Sequence, residues 1–217
     1  MNLLASLGTT ALLLVYFYYQ DRNREPLRRL MEAFFVGAAL SLQVSFLQDL
    51  LPLPGHILFA AFISAGLVEE GIKLIALRLT LFRSKDFTQA VDGITYAVFL
   101  GLGFATVENL YYIASVEIGI VRAVTAVPAH ALFAVAMGYY LGKYRFSGDK
   151  TELLLALYMP VILHGVYNYL ILSGTAWGLF LFVPYLVFLW WLGMFKHAKL
   201  NEKVRKIAKD SGLGKKE

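Results

Sequence analysis

Seven apolar runs of about 20 residues, with only short connections between them, leave this chain very few ways to fold. They lie at about 2–19, 30–50, 57–79, 91–115, 121–142, 152–173 and 177–195. A run of that length matches the hydrocarbon core of a bilayer, where the backbone must satisfy its own N–H and C=O groups, and a helix does so within one segment. The sequence therefore predicts an all-α, polytopic transmembrane helix bundle of about seven spans. The connections carry breakers or charges: Pro52 and Pro54, Arg83-Ser84-Lys85-Asp86, Glu117 to Gly119, and Ser147-Gly148-Asp149-Lys150. No internal repeat interrupts the pattern, so residues 1–195 read as a single transmembrane domain and residues 196–217 as a basic juxtamembrane tail.

Charge placement gives the orientation. Residues 20–29, 78–90, 143–151 and the tail hold 4, 3, 3 and 8 of the 20 Lys and Arg residues, and alternate connections hold almost none. By the positive-inside rule these regions are cytoplasmic, giving an N-out, C-in topology. The tail carries eight basic residues against three acids, while residues 1–195 are balanced at twelve each. A basic segment beside a membrane span points to anionic lipid and not to nucleic acid. Residues 1–19 open without a basic stretch and are followed by Arg22 to Arg29, so they read as a first span and not a cleaved leader. With no cysteine in the chain, disulfides, a thiol nucleophile and thiolate metal ligands are excluded.

Against this apolar background, ionisable residues near the centres of the spans stand out. Glu69 and Glu70 lie in the third span, His130 in the fifth and His164 in the sixth, with Glu108 in the fourth about one to two turns nearer the outer face. A charged side chain in hydrocarbon costs roughly 2.5–3.5 kcal/mol by insertion scales. A lone buried histidine is often a hydrogen-bonding strut, and Glu69 with Lys73, four residues apart on one helix face, can be a neutralised pair that only permits insertion. Taken together, the groups reduce their cost most by meeting in one cluster. His164 and Asn168 are also four apart, Asn109 adjoins Glu108, and Pro128 and Pro160 precede the two histidines by one turn or less, where a helix can kink.

Such a cluster suits peptide hydrolysis without a serine or cysteine nucleophile. Lys73 would hold Glu69 ionised, Glu70 would face the cavity and activate water, and an imidazole would polarise the substrate or stabilise an oxyanion. This reading needs no metal. Glu and His are also competent Zn²⁺ ligands, but no HExxH motif is present and the ligands would come from at least three helices, so zinc ranks second.

The runs GLVEEGIK (66–73), DGITYAVFLGLGFATVENLYY (92–112), HALFAVAMGYYLGKYRFS (130–147) and LHGVYNYL (163–170), with the opening YFYYQDRNREP (16–26), resemble the PrsW family of bacterial intramembrane proteases over nearly the whole chain. That family is grouped with the type II CAAX prenyl proteases and a non-catalytic subunit of gamma-secretase. The resemblance assigns Glu69, Glu70 and Lys73 to the paired-glutamate motif, Phe104 and Glu108 to a second motif in which the prenyl proteases have His, and His130, His164 and Asn168 to the later motifs. Lys73 stands where a bidentate Arg is usual, which implies a looser hold on the carboxylates. The resemblance also implies a cell-membrane protease that makes the first, extracytoplasmic-side cut in a membrane-spanning anti-sigma factor.

Two other classes compete. A non-catalytic scaffold would use buried polar groups to bind partner helices, but has little reason to keep two adjacent carboxylates in hydrocarbon. A proton-coupled transporter also uses acids and histidines, but the expected inverted repeat and paired broken helices are missing from the sequence. The site residues carried forward are Glu69, Glu70, His164, Glu108, His130 and Asn168, with Lys73 and Asn109 in support.

Overall fold

The computed structural model describes residues 2–21, 24–50, 55–112 and 116–210. Among these residues the protein is all-helical. The helices are α1 (Asn2–Gln20), α2 (Leu27–Leu50), α3 (Val68–Thr80), α4 (Asp92–Tyr111), α5 (Val116–Ser147), α6 (Lys150–Leu172) and α7 (Ala176–Asp210). A π-helical segment, Phe59–Leu67, runs directly into α3. Five of the helices are long and apolar enough to cross a membrane: α2, α4, α5, α6 and α7.

α4 is the axis of the bundle. Its apolar window is 83% buried, against 17% for α7, so α4 faces protein nearly all round while α7 turns most of its surface outward. α2 packs on one side of α4 and α5 on the other, with α1 against both α4 and α5. α6 and α7 continue outward from α5, and α6 also receives the π-helical segment, so α3 is held against α6, α2 and α4. Small residues permit these close crossings. A Cβ on Gly142 would come within 1.9 Å of the Ala90 carbonyl oxygen, and one on Gly103 within 2.0 Å of that of Phe34.

One end of the bundle gathers the segments rich in Lys and Arg. Arg29 Nε donates to Asp86 Oδ2 at 2.8 Å, which holds the Asp86 carboxyl below its usual range. Lys143 pairs with Glu152, and Lys196 Nζ donates to Tyr140 Oη at 3.0 Å. At the opposite end Asn109 Nδ2 donates to Ser6 Oγ (2.8 Å) and Arg122 Nε to Asn109 Oδ1 (3.0 Å).

The connections at 81–91 and around Gly148, which takes a positive φ of 70° ahead of the Asp149 N-cap, fall where the sequence puts them. Glu117 to Gly119 do not form a connection: α5 begins at Val116 and takes them into its first turn. An apolar run marks the part of a helix that sits in hydrocarbon, and helices extend past it. α7 likewise runs on without a break through residues 196–210. Pro52 and Pro54 lie outside the described residues.

Candidate active site

The third span reaches the site in an unusual way. π-helical turns close i→i+5 hydrogen bonds and wind more slowly than an α-helix, so they rotate the register of the side chains that follow. The segment FAAFISAGL ends immediately before Val68, and Glu69 and Glu70 occupy the first turn of α3. Reciprocal glycines fix its contact with α6. A Cβ on Gly66 would meet the Val161 carbonyl oxygen at 2.9 Å, and one on Gly165 would meet the Phe62 ring at 2.2 Å. Gly165 adjoins His164, so this interlock sets the glutamate pair against the histidine.

At the centre is Glu70, 1% exposed. Its Oε1 lies 2.8 Å from Lys73 Nζ and 2.9 Å from His164 Nδ1. Glu69 Oε2 is 3.5 Å from the same ammonium, so the closer partner of Lys73 is Glu70, three residues away, and not Glu69, four away, as the spacing suggested. Both spacings share a helix face, so spacing alone does not decide between them. Lys73 Nζ also contacts His130 Nδ1 at 3.2 Å and lies 3.9 Å from the centroid of the Phe104 ring.

The tautomers follow from these partners. An ammonium only donates, so His130 Nδ1 accepts from Lys73 and carries a lone pair, and Nε2–H donates to Glu108 Oε2 at 2.8 Å. Glu108 is held in turn by Arg122 Nη2 at 3.3 Å. His164 Nδ1–H donates to the Glu70 carboxylate, which leaves a lone pair on Nε2. Phe133 stacks on the His164 ring at 4.8 Å and the two imidazoles meet edge to face at 5.1 Å, fixing both planes.

Glu69, Glu70, His130 and His164 each offer one ligand atom, all within 4.8 Å of one another and all on buried residues. Two carboxylates and two imidazoles are a donor set suited to Zn²⁺. Glu108 behind His130 completes a carboxylate–histidine arrangement of the kind that orients a metal-ligating imidazole. The cluster holds three carboxylates, Glu69, Glu70 and Glu108, and two permanent cations, Lys73 and Arg122, so a divalent cation also suits its charge. Lys73, in contact with Glu70 and His130, is the competitor such an ion meets.

Of the residues singled out in the sequence, Glu69, Glu70, Lys73, Glu108, His130 and His164 come together here. Asn168 is half-buried on α6 and, among the described residues, makes no side-chain hydrogen bond. Asn109 bonds Ser6 and Arg122 and reaches the cluster only through Arg122 among the described residues. Arg122 is a member that the sequence reading did not single out; a lone basic residue on the side otherwise poor in Lys and Arg was the signal for it.

A model described as PrsW family intramembrane metalloprotease matches residues 25–193. The chain is similar to Protease PrsW of Clostridioides difficile strain 630, at 37% identity over 220 residues covering 93% of this chain and 92% of that protein. It is 39% identical to Protease PrsW of Bacillus subtilis strain 168 over 196 residues (86% and 89% of the two chains), and 34% identical to that of Oceanobacillus iheyensis over 205 residues (91% and 95%). No solved structure matches.

Proposed function

Because this chain belongs to the PrsW family of intramembrane proteases, we propose that its buried Glu–His cluster hydrolyses a peptide bond of a single-span membrane protein. By the resemblance of its motifs, the substrate is an anti-sigma factor, cut on the extracytoplasmic side of the cell membrane. The observation that carries the reading is the convergence of Glu69, Glu70, His130 and His164 from three helices on one buried locus.

The contacts divide the work between the two glutamates. Glu70 Oε1 accepts from both Lys73 and His164 and acts as the fixed negative charge that aligns them. Among the described residues Glu69 has only the long contact to Lys73, so its carboxylate is the freer of the two to take a proton from an attacking water and pass it to the leaving amine. Glu108 holds His130 in the tautomer whose Nδ1 lone pair points at the cluster, and Phe133 holds the His164 ring with its Nε2 lone pair free. Lone pairs on both imidazoles, beside the Glu70 carboxylate, support Glu70, His130 and His164 as the residues that would hold Zn²⁺, with Glu69 left as the base. When bound, such an ion supplies Lewis-acid polarisation of the scissile carbonyl and acidifies water. The family's description as metalloproteases supports the same reading, which promotes zinc from the second place it had on sequence grounds. A role for His164 as an oxyanion donor, by contrast, requires the charged imidazolium, since neutral Nε2 has no proton to give.

The test is the full chain in liposomes with a tagged single-span substrate. Glu69→Gln and Glu70→Gln are each expected to abolish cleavage with the unfolding midpoint preserved. Chelation is expected to stop cleavage and added Zn²⁺ to restore it. Near-normal turnover in both variants overturns the site, and cleavage that survives strong chelation leaves the carboxylate-activated water without a metal.

A further inference from the structure

A second group of acids lies at the other end of α4 from Glu108, sixteen residues or about 24 Å away along the helix axis. Asp21 follows α1, Glu25 precedes α2 and Asp92 opens α4, and each presents an oxygen within 4.8 Å of the others. All three are buried, at 1%, 3% and 0% exposure. Their surroundings are built and made of oxygen and nitrogen donors. Thr95 Oγ1 donates to Asp21 Oδ2 at 2.9 Å, the Tyr96 hydroxyl donates to Glu25 Oε2, and the Thr88 and Gln89 backbone N–H groups both donate to Asp92 Oδ2 at 2.7 Å.

These donors leave one atom over. Asp92 Oδ1 is fully buried and has no hydrogen-bond partner among the described residues, and the Asp92 carboxylate faces that of Glu25. Among the described residues, Arg24 sits over the Tyr18 and Tyr19 rings, and Arg29 bonds Asp86 and Glu32. An acceptor buried without a donor, facing a second carboxyl group, is a place prepared for a cation.

We infer that Asp21, Glu25 and Asp92 form a binding site for a hard divalent cation, Ca²⁺ or Mg²⁺, that ties the α1–α2 connection to the start of α4. The ligands are all oxygens, which selects hard ions over zinc. Oxygens on opposite sides of Ca²⁺ are about 4.6–5.2 Å apart and those across Mg²⁺ about 4.0–4.2 Å. A set gathered within 4.8 Å therefore accepts either ion with little movement. The site draws on three segments separated in sequence, so a bound ion would lock the orientation of α4, whose far end carries Glu108.

The experiment uses the full chain in detergent, stripped of metal and then titrated with Ca²⁺ or Mg²⁺ alone. A rise in unfolding midpoint of roughly 5 °C or more is expected once the cation is a hundredfold above half-saturation. The rise should persist in Glu70→Gln and vanish in Glu25→Gln and Asp92→Asn. No rise at millimolar cation, a rise that survives Glu25→Gln, or one lost in Glu70→Gln overturns the site. Tb³⁺ luminescence sensitised by Tyr96 supplies a reading on the unaltered chain if the variants fail to fold. Displacement of Tb³⁺ by Ca²⁺ but not by Zn²⁺ supports the site, and absence of a Ca²⁺-displaceable signal overturns it. Burial pushes the Glu25 carboxyl up to about 8, the bond from Tyr96 offsetting part of this and the charges of Asp92 and Asp21 adding to it. A midpoint that ignores cations but rises as pH falls through about 8 would therefore belong to a proton shared with Asp92, and the cation site would be wrong.

Discussion

Arg122 has no apolar reason to sit where it does. It stacks over Tyr112 at 4.0 Å, donates to Asn109 Oδ1 at 3.0 Å and reaches Glu108 Oε2 at 3.3 Å. Glu108 in turn accepts a hydrogen bond from His130 Nε2–H at 2.8 Å, so the guanidinium acts on the cluster only through a carboxylate and an imidazole. Removing an outer partner of this kind typically costs about 10–100-fold in activity or metal affinity. Arg122→Ala is expected to lower kcat within that range with KM little changed, and Arg122→Lys to recover part of it, since a point charge keeps Glu108 ionised without the fork geometry. A purely structural role would instead lower the unfolding midpoint of Arg122→Ala and leave kcat intact in the protein that remains folded. The same residue marks a limit of legibility. The mid-span acids and histidines could be read as one cluster because hydrocarbon makes their isolation expensive. Arg122, near a helix end, carries no such penalty and so gave no comparable signal.

At the scale of the elements, the contact that matters most is between the π-helical segment and α6. The sequence of the segment is uniformly apolar or small, so nothing in its periodicity separates π from α winding, and i+3 and i+4 spacing alike left open which glutamate Lys73 would meet. For Asn168, i, i+4 spacing names a neighbour of His164 on one helix face but does not say what its side chain bonds, and among the described residues it makes no side-chain hydrogen bond. What spacing did get right was the set of helices, because each span's length and charge boundaries answer to the bilayer and not to tertiary detail. Gly165→Ala tests the interlock. The added methyl group would lie 2.2 Å from Cδ1 and 2.7 Å from Cγ of Phe62, so the whole ring must move, not only its tip. Overpacking of this kind typically costs about 1–3 kcal/mol. Displacement of the segment also carries Glu70 away from His164. Cleavage is expected to fall at least about tenfold, given how steeply rate depends on ångström-scale misplacement. Phe62→Ala in the Gly165→Ala background should restore most of it. Wild-type cleavage and melting in Gly165→Ala alone would show that the contact does not position the site.

Across the whole molecule the question is which side of the membrane the cluster serves. α5 spans 32 residues, about 48 Å of helix for a hydrocarbon core of about 30 Å, and His130 lies near its middle. The cluster is therefore deep from either surface, and its polar extension through Glu108 and Arg122 leads toward the end where Asn109 and Ser6 meet. The basic segments crowd the opposite end, which the positive-inside rule assigns to the cytoplasm. Water and an extracytoplasmic peptide bond would then enter from the Arg122 side. Because the chain contains no cysteine, single-cysteine variants report on this directly. Ala176 is exposed at the start of α7, and Thr151 is exposed in the first turn of α6 near the Lys143–Glu152 pair. In intact cells a membrane-impermeant maleimide is expected to label Ala176→Cys, and to label Thr151→Cys only after permeabilisation. The reverse pattern would put the Arg122 end in the cytoplasm, and a cut on the extracytoplasmic side would then have to be abandoned even if every assignment within the cluster held.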